Sequence, residues 1–500
     1  MYQLTLILKY LCRKLAPLFG AIAVTLCTMM VIIVMSVMGG FLDLMKTAAQ
    51  KLTGDVIIAS DYRGFPHYEE LIADLKKLPQ VAAVTAVVRA PGMAKFTDPF
   101  GEEHVHLVQV IGVHGHEMDH ITGLGSAIYW SSADELARFN RGVDVGDAPL
   151  SPQTTQLIEQ MRSAITAADL RERGLSFEVP SGWRGDDVPP DHGIVPGIQV
   201  NPWSRHNDQG KYDYDYAALG TPATLTVVPM TAAGGATETS SAKFIKVNEF
   251  KSGLYDADAN QVFVKFQVLQ AMLKMDEGNE ADPDTGQPTG KTTPARTSEV
   301  VLKGAPGYPL AQVEEVVRLA LSDFRARHQD EDFTLYALTW MQRHADLLNA
   351  VQNEKGLVTF LFAVISIVAV LLIALVFYNT VLQKTRDIGV LRALGASRTG
   401  VASIFLGYGL AVGVVGALAG LGLAVLIVTN LNPIQDFIFN LTGWRMWNPQ
   451  VYYFDRIPDR VEIFDAICVV IAGILAGLVG ALVPAFTAAR QNPVESLRYE

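Results

Sequence analysis

Gln383-Lys-Thr-Arg-Asp-Ile-Gly-Val-Leu-Arg-Ala-Leu-Gly-Ala-Ser397 separates two long apolar runs of the chain. Lys384, Arg386, Arg392 and, just beyond, Arg398 stand against one acid, Asp387. Ile388, Leu391 and Leu394 recur at helical spacing, which predicts an amphipathic helix with one apolar and one charged face. A basic segment this close to two membrane spans marks the cytoplasmic side. A loop that only sets topology needs charge and nothing more. The ordered apolar stripe, ending in Gly395-Ala-Ser397, points instead to a helix that docks on something in the cytoplasm; a plain topogenic loop is the alternative.

Outward from this segment lie four runs long enough to cross a bilayer, each exceeding the roughly 20 apolar residues that a spanning helix needs. They extend from about Leu15 to Leu42, Gly356 to Gln383, Thr399 into Leu431, and Ala466 to Ala489. The first is too long for a signal peptide, and Ser36-Val-Met-Gly-Gly-Phe41 makes a poor cleavage site, so it reads as a retained anchor. Lys9, Arg13 and Lys14 precede it and place the N-terminus inside; Arg490 and Arg498 do the same for the C-terminus.

The predicted order is therefore a cytoplasmic N-terminus (1–16), transmembrane helix 1 (17–41), an extracytoplasmic domain (42–339), a stalk helix (340–355), transmembrane helix 2 (356–382) and a cytoplasmic coupling helix (383–398). Transmembrane helix 3 (402–429), an extracytoplasmic loop (430–462), transmembrane helix 4 (463–487) and a cytoplasmic C-terminus (488–500) follow. The fold class is membrane α-helical, with four transmembrane helices, plus a large extracytoplasmic α+β domain.

Half of the residues are hydrophobic, yet the net charge is -11, and most of the acidic excess falls in the external block. That excess argues against nucleic acid and against docking on anionic lipid. Cys12, Cys27 and Cys468 all lie in or beside spans, so the external domain has no disulfide and rests on its own core. Within it, Asp55–Ser60, Val84–Arg89, Val105–Ile111, Thr224–Val228, Phe244–Val247, Val262–Phe266, Val300–Leu302 and Phe333–Leu335 read as strands. His67–Leu78 and Leu310–Arg327 read as helices. Residues 131–190 look like an insertion, and 276–296, rich in Gly, Pro, Asp and Thr, read as a second one without structure. From Trp340 to Lys355 the pattern becomes helical and runs into the second span as a continuous stalk.

Signals of chemistry are weak. Gly286-Gln-Pro-Thr-Gly-Lys-Thr292 resembles a phosphate-binding loop but is one residue short of the spacing that wraps a phosphate, and no strand precedes it. His104, His106, His114, His116 and His120 cluster locally, and His104 and His106 share a strand face. No cysteine is near them, and Glu102, Glu103, Glu117 and Asp119 fit a solvated surface, so no metal site is assigned. Gly416, Gly420, Gly473 and Gly477 stand at helix-packing spacing in spans three and four. No charge lies in the core of any span, which disfavours ion-driven transport. No catalytic grouping and no cofactor motif stands out, so any ATP chemistry belongs to another chain.

One span, a large external domain and three further spans with a basic helix between the second and third resemble the MacB/FtsX superfamily of ABC permeases. Within it, the chain is most similar to the LolC/LolE lipoprotein-releasing permeases. Ser36–Phe41 resembles that family's segment at the end of the first span. Val88–Gly92 and Phe250–Asp256 resemble external segments, and Lys384–Ser397 the superfamily's coupling segment. Val451–Pro458, Pro484–Arg490 and Asn492–Glu500 resemble the loop before the last span and the C-terminal ending. No counterpart is recognised for 131–190 or 276–296.

The resemblance implies a non-catalytic permease subunit in a bacterial inner membrane, with a periplasmic domain. A separate ABC ATPase, two copies per complex, would bind the coupling helix. Ile388 and Leu391 are expected to enter its groove, with Arg386, Asp387 and Arg392 at the polar rim, Gly389 and Gly395 permitting close approach, and Lys384 also part of the ATPase-coupling set. A second permease copy or paralogue, a lipoprotein substrate, a periplasmic lipoprotein carrier and membrane lipid are the other implied partners. Substrate would be extracted from the outer leaflet by transmitted motion. The alternatives are a MacB-like export mechanotransmitter and an FtsX-like scaffold relaying ATPase motion to a cell-wall hydrolase.

Overall fold

The computed structural model describes residues 15–61, 63–97, 102–131, 167–183, 185, 187–201, 204–206, 212–214, 219–230, 238–281, 288–442, 457, 460–491. The basic N-terminal residues, most of Val451–Pro458, Asn492–Glu500 and the first half of the 131–190 insertion lie outside them. The chain forms two compact units. One holds the described residues up to Leu44 and most of those from Asp346 onward; the other is built on Met45–Ala345.

The first unit is helical. Helices Leu15–Thr53, Ala345–Gln383, Arg398–Thr429 and Ile463–Arg490 are each long and apolar enough to cross a membrane. They are called the first to fourth spans below. The first two are 39 residues each, well beyond the roughly 20 that a bilayer needs. The bundle core is small: Val24 of the first span, Ile373 and Phe377 of the second, Tyr408, Val412 and Ala417 of the third, and Ala481 of the fourth. Two shorter helices join them among the described residues. Thr385–Ala393 links spans two and three, and Leu431–Thr442 follows span three directly. The latter is amphipathic and was read from sequence as loop; Phe437 and Leu441 stand exposed on it.

The second unit is a nine-stranded mixed sheet with helices packed against it. Its strands are β1 (Val56–Ala59), β2 (Val81–Thr97), β3 (Glu103–Val113), β4 (Gly193–Pro196), β5 (Pro222–Val227), β6 (Ser240–Lys246), β7 (Gln261–Lys265), β8 (Glu299–Gly304) and β9 (Tyr336–Thr339). The order is β9-β1-β8-β2-β3-β7-β4-β6-β5. β2 also pairs with β5 from Gly92 to Phe96, so the sheet curls back on itself. β-branched residues dominate the buried strands, as sheet positions packed against helices favour. Helices α1 (Tyr68–Leu75), α2 (Gly115–Thr122) and α3 (Leu310–Arg327) pack on it, α1 and α3 burying Leu71, Leu75, Val313, Val317 and Phe324 in the main core.

Other details also differ from the sequence reading. The stalk is not one helix from Trp340: Trp340–Arg343 is a separate turn, and the second span's helix starts at Ala345 after a break at His344. Residues 276–296 include a hairpin, Gly278–Ala281 with Pro288–Thr293, rather than unstructured chain. Its polar composition hides a strand signal, because backbone pairing there needs no apolar face. The last strand falls at Tyr336–Thr339 instead of Phe333–Leu335, where Phe333 and Leu335 serve the core as irregular chain. The described part of the 131–190 insertion is also built in: Leu170 and Phe177 are buried, and Asn248 Nδ2 donates to the Leu170 carbonyl at 2.7 Å.

Candidate functional site

The linking helix Thr385–Ala393 has one face fixed to its own chain and one face free. Ile388, only 2% exposed, packs with Val381, Val401 and Ala488. Gly389 beside it is also buried. The expectation that Ile388 enters a partner's groove is therefore corrected: the apolar stripe seen in the sequence serves first to seat the helix on its own bundle. Arg392 is redirected in the same way. Its Nη1 donates to the carbonyls of Ala489 at 2.7 Å and Gln491 at 3.2 Å, at the end of the fourth span. A cation there satisfies carbonyls that the helix leaves unpaired and complements its dipole.

Gly395 ends the linking helix with φ +100. The Ala396 N–H donates to the Leu391 carbonyl and the Gly395 N–H to that of Arg392, both at 3.1 Å, which is the Schellman arrangement. A side chain at Gly395 would meet nothing within 4 Å. Left-handed backbone is itself a sufficient reason for glycine here. Ser397 then caps the third span by accepting from the Gly400 N–H at 3.0 Å.

What remains outward is a compact surface. Arg386, Asp387, Val390 and Leu394 are exposed, Leu394 to 81%. Lys384 bonds Asp387 at 2.5 Å across the first turn, and Leu391 is half-buried. Val390 and Leu394, one turn apart, form its apolar part. Val390 was missed because it lies off the Ile388–Leu391–Leu394 stripe; the four-residue spacing to Leu394 was the available signal.

The four glycines singled out in the spans sit at helix crossings. A Cβ on Gly416 would lie 2.7 Å from Val24 Cβ, and one on Gly420 2.7 Å from the Thr25 carbonyl, so both face the first span. One on Gly473 would lie 2.8 Å from Thr28 Oγ1. One on Gly477 would lie 2.7 Å from Gly413 Cα. Gly409 and Gly413, which sequence reasoning passed over, supply the third span's side of that crossing. A cavity of about 320 Å³ opens between spans one, two and four, lined largely by apolar groups including Val31, Phe362, Ala363, Val469 and Ala472.

In the sheet unit, the five histidines of 104–120 disperse. His106 packs edge-on to Phe96, His114 stacks on Phe266 at 4.5 Å, and His116 pairs with Glu172 at 3.0 Å. Burial pushes the His106 and His114 imidazoles down from their ordinary range. Residues 288–292 of the phosphate-loop look-alike lie in the strand Pro288–Thr293. The Val88–Gly92 segment has a structural role. Arg89 reaches Glu299 at 3.3 Å and Gln109 at 2.8 Å, and Arg343 meets the other Glu299 oxygen at 2.8 Å. Burial pushes the Glu299 carboxyl up, but the two guanidiniums outweigh it and hold it below the usual carboxylate range. In Phe250–Asp256 the turn is closed by buried Asp258, which accepts from the Ser252 N–H and hydroxyl, both at 2.7 Å.

Comparison with known proteins agrees with this architecture. Residues 359–493 match the family described as FtsX-like permease C-terminal. The chain is 24% identical over 351 residues to the lipoprotein-releasing system transmembrane protein LolC of Neisseria meningitidis serogroup B, covering 68% of this chain and 73% of that protein. It is 30% identical over 161 residues to LolC of Xylella fastidiosa, covering 32% and 39%. Against LolE of Haemophilus influenzae it is 28% identical over 238 residues, covering 43% and 57%. The chain thus spans most of the first relative and about half or less of the other two. Four spanning helices, a sheet-rich domain and the matched C-terminal region define an ABC-transporter permease of the FtsX-like class. Within that class its similarity extends to the LolC and LolE permeases.

Proposed function

We propose that this chain is the non-catalytic, mechanically driven permease subunit of an inner-membrane complex that releases lipoproteins. The observation that carries the reading is the two-sided linking helix. Ile388 and Arg392 clamp it to the ends of spans two, three and four, while Arg386, Asp387, Val390 and Leu394 face outward. A push on the outer face would reach the bundle without first bending the helix away from it. A separate ATPase, present as two copies, is the partner this surface suits. Its basic flank supports a cytoplasmic position for the helix and a periplasmic one for the sheet unit. The names of the LolC and LolE relatives supply the substrate class.

Acyl chains leaving a bilayer need both shelter and work. Each buried methylene contributes about 0.8 kcal/mol to anchoring, so extraction has to be coupled to ATP. The apolar cavity between spans one, two and four is suited to part of such a chain. The second span buries Ile373, Phe377 and Val381 and exposes Leu361, Ile365, Val368, Leu372 and Leu375, a face available to lipid or to a second permease copy.

The test is Val390→Ala with Leu394→Ala in the full complex. Truncating each at a desolvated helix-in-groove contact should cost about 1–2 kcal/mol of association. The permease should insert normally, lose its ATPase on co-purification and stop delivering a labelled lipoprotein to a soluble carrier. Unchanged association and delivery would reduce the segment to a topogenic loop.

A further inference from the structure

His67 and His328 are 261 positions apart, yet their rings stack with centroids 4.6 Å apart and planes inclined by 12°. Each begins a His-x-x-Glu turn: His67 with Glu70, and His328 with Glu331. In each turn the histidine carbonyl accepts the glutamate N–H, at 3.1 Å for Glu70 and 3.4 Å for Glu331. The side chains then pair crosswise. His67 Nε2 lies 2.9 Å from Glu331 Oε1, and His328 Nε2 lies 3.1 Å from Glu70 Oε2. His67, His328 and Glu331 each bring one donor atom within 4.8 Å of the others, the one such metal-competent group among the described residues.

The backbone supports a built arrangement. His67 immediately precedes α1 with φ 57, a left-handed conformation that a histidine adopts uncommonly. His328 closes α3 and rests on the Phe324 ring at 4.7 Å. Both imidazoles are thus fixed by helix ends on the same side of the sheet unit. Arg327 holds the other oxygen of Glu70, together with Asp74 at 2.5 Å. That engagement suits Glu70 to orient His328 from outside the coordination sphere, the usual work of a carboxylate behind a metal-bound histidine.

We propose that His67, His328 and Glu331 form a zinc site in the sheet unit, with Glu70 orienting His328. Two imidazoles and one carboxylate are a borderline-soft donor set that zinc accepts, with a fourth position left for water. The two rings, stacked nearly parallel, must turn so that their in-plane lone pairs converge on one ion and the donors draw together; the partial exposure of His67 and Glu331 leaves room for that movement. The ion would staple α1 to the end of α3, joining the first and last quarters of the unit. Nothing in the proposed release function requires this site, so the two readings fail separately.

The experiment uses the full-length chain in lipid nanodiscs with its purification tag removed, dialysed against zinc chloride. One zinc per chain is expected by elemental analysis, with a raised thermal midpoint; cobalt in its place should give the absorption bands of a four-coordinate ion. His67→Asn, which tolerates left-handed backbone, and His328→Gln should each weaken zinc binding by roughly 100-fold or more, and Glu70→Gln by roughly 10–100-fold. Glu331→Gln, a change at a partly exposed residue, checks the site where a histidine variant misfolds. Replacing His104, His106, His114, His116 and His120 together with Asn should leave the stoichiometry at one. The proposal is overturned if the wild-type chain binds no zinc, or if binding survives Glu331→Gln unweakened or is lost from a folded His104–His120 variant.

Discussion

Arg392 reads in the sequence as one of several basic residues beside two spans, and its charge alone suffices for the topology argument. Its partners, the carbonyls of Ala489 and Gln491, lie about a hundred positions away and come together only when the spans pack. The basic character was legible; the destination was not, because a guanidinium reaches in any direction that folding offers. Arg392→Met should leave those carbonyls without a charged donor and cost about 1–3 kcal/mol locally. The linking helix should then be cut faster by trypsin at Arg386 while insertion is unchanged, and Arg392→Lys should lie between because it offers charge without the fork. Equal protection in wild type and Arg392→Met would show that the clamp contributes nothing. Glu299 makes a pH-dependent case in the sheet unit. Its folded value lies below its unfolded one, so its contribution is full above about pH 4–5 and fades as pH falls through the depressed folded value. Glu299→Gln leaves Arg89 and Arg343 facing a neutral amide and should destabilise the unit by about 3–5 kcal/mol at neutral pH. Melting curves from pH 7 downward should show the gap between variant and wild type narrowing in acid; a constant gap would contradict the assignment.

At the scale of elements, the spans, α3 and most strands were legible because their signals are local. Apolar length marks a span, and three-to-four-residue periodicity marks Leu310–Arg327. Small-residue spacing likewise revealed Gly416, Gly420, Gly473 and Gly477 as packing positions, but not which helix each one meets. Gly409 and Gly413 went unread because their importance comes from the fourth span lying against them. The helix Leu431–Thr442 was hidden by Asn432 and Pro433, which read as loop residues although Pro is tolerated in a first turn. The crossing of spans three and four gives a graded test. Gly477→Leu forces a side chain into the Gly413 backbone and should cost 1–3 kcal/mol or more, with loss of folded permease in detergent. Gly422→Ala meets open space and should be neutral or stabilising by up to about 1 kcal/mol. Equal yields of the two variants on size-exclusion chromatography would mean that the crossing is looser than its geometry.

For the whole molecule, the decisive feature is where the sheet unit begins and ends. β1 follows the first span's helix by two residues, and β9 leads through Trp340–Arg343 and His344 into the second span's helix. β1 and β9 are hydrogen-bonded neighbours, with Val56 opposite Thr339. The turn after β9 is held firmly. The Trp340 N–H donates to the Asp55 carbonyl at 3.1 Å, Thr339 and Gln342 form a reciprocal cap, and Arg343 bonds Glu299. No local sequence pattern could show this, since β1 and β9 are 280 positions apart at Val56 and Tyr336. Any relative movement of the two helices must therefore be absorbed at Gly54–Asp55 or at His344, or be passed into paired strands. A continuous stalk would remove the second option; the break at His344 makes it testable. Inserting Gly-Ser-Gly between Arg343 and His344 lengthens that link by about 10 Å of extended chain. It spares the Arg343–Glu299 bond and lies far in sequence from the linking helix. If force reaches the sheet unit through this link, the variant complex should assemble and hydrolyse ATP as the wild type does, while lipoprotein delivery falls at least tenfold. Matching Cys pairs at Val56 and Thr339, oxidised to lock β1 to β9, should by contrast leave delivery intact, since those strands are already joined. Full delivery from the lengthened variant would place the path of force elsewhere, through the first span and Gly54–Asp55 alone.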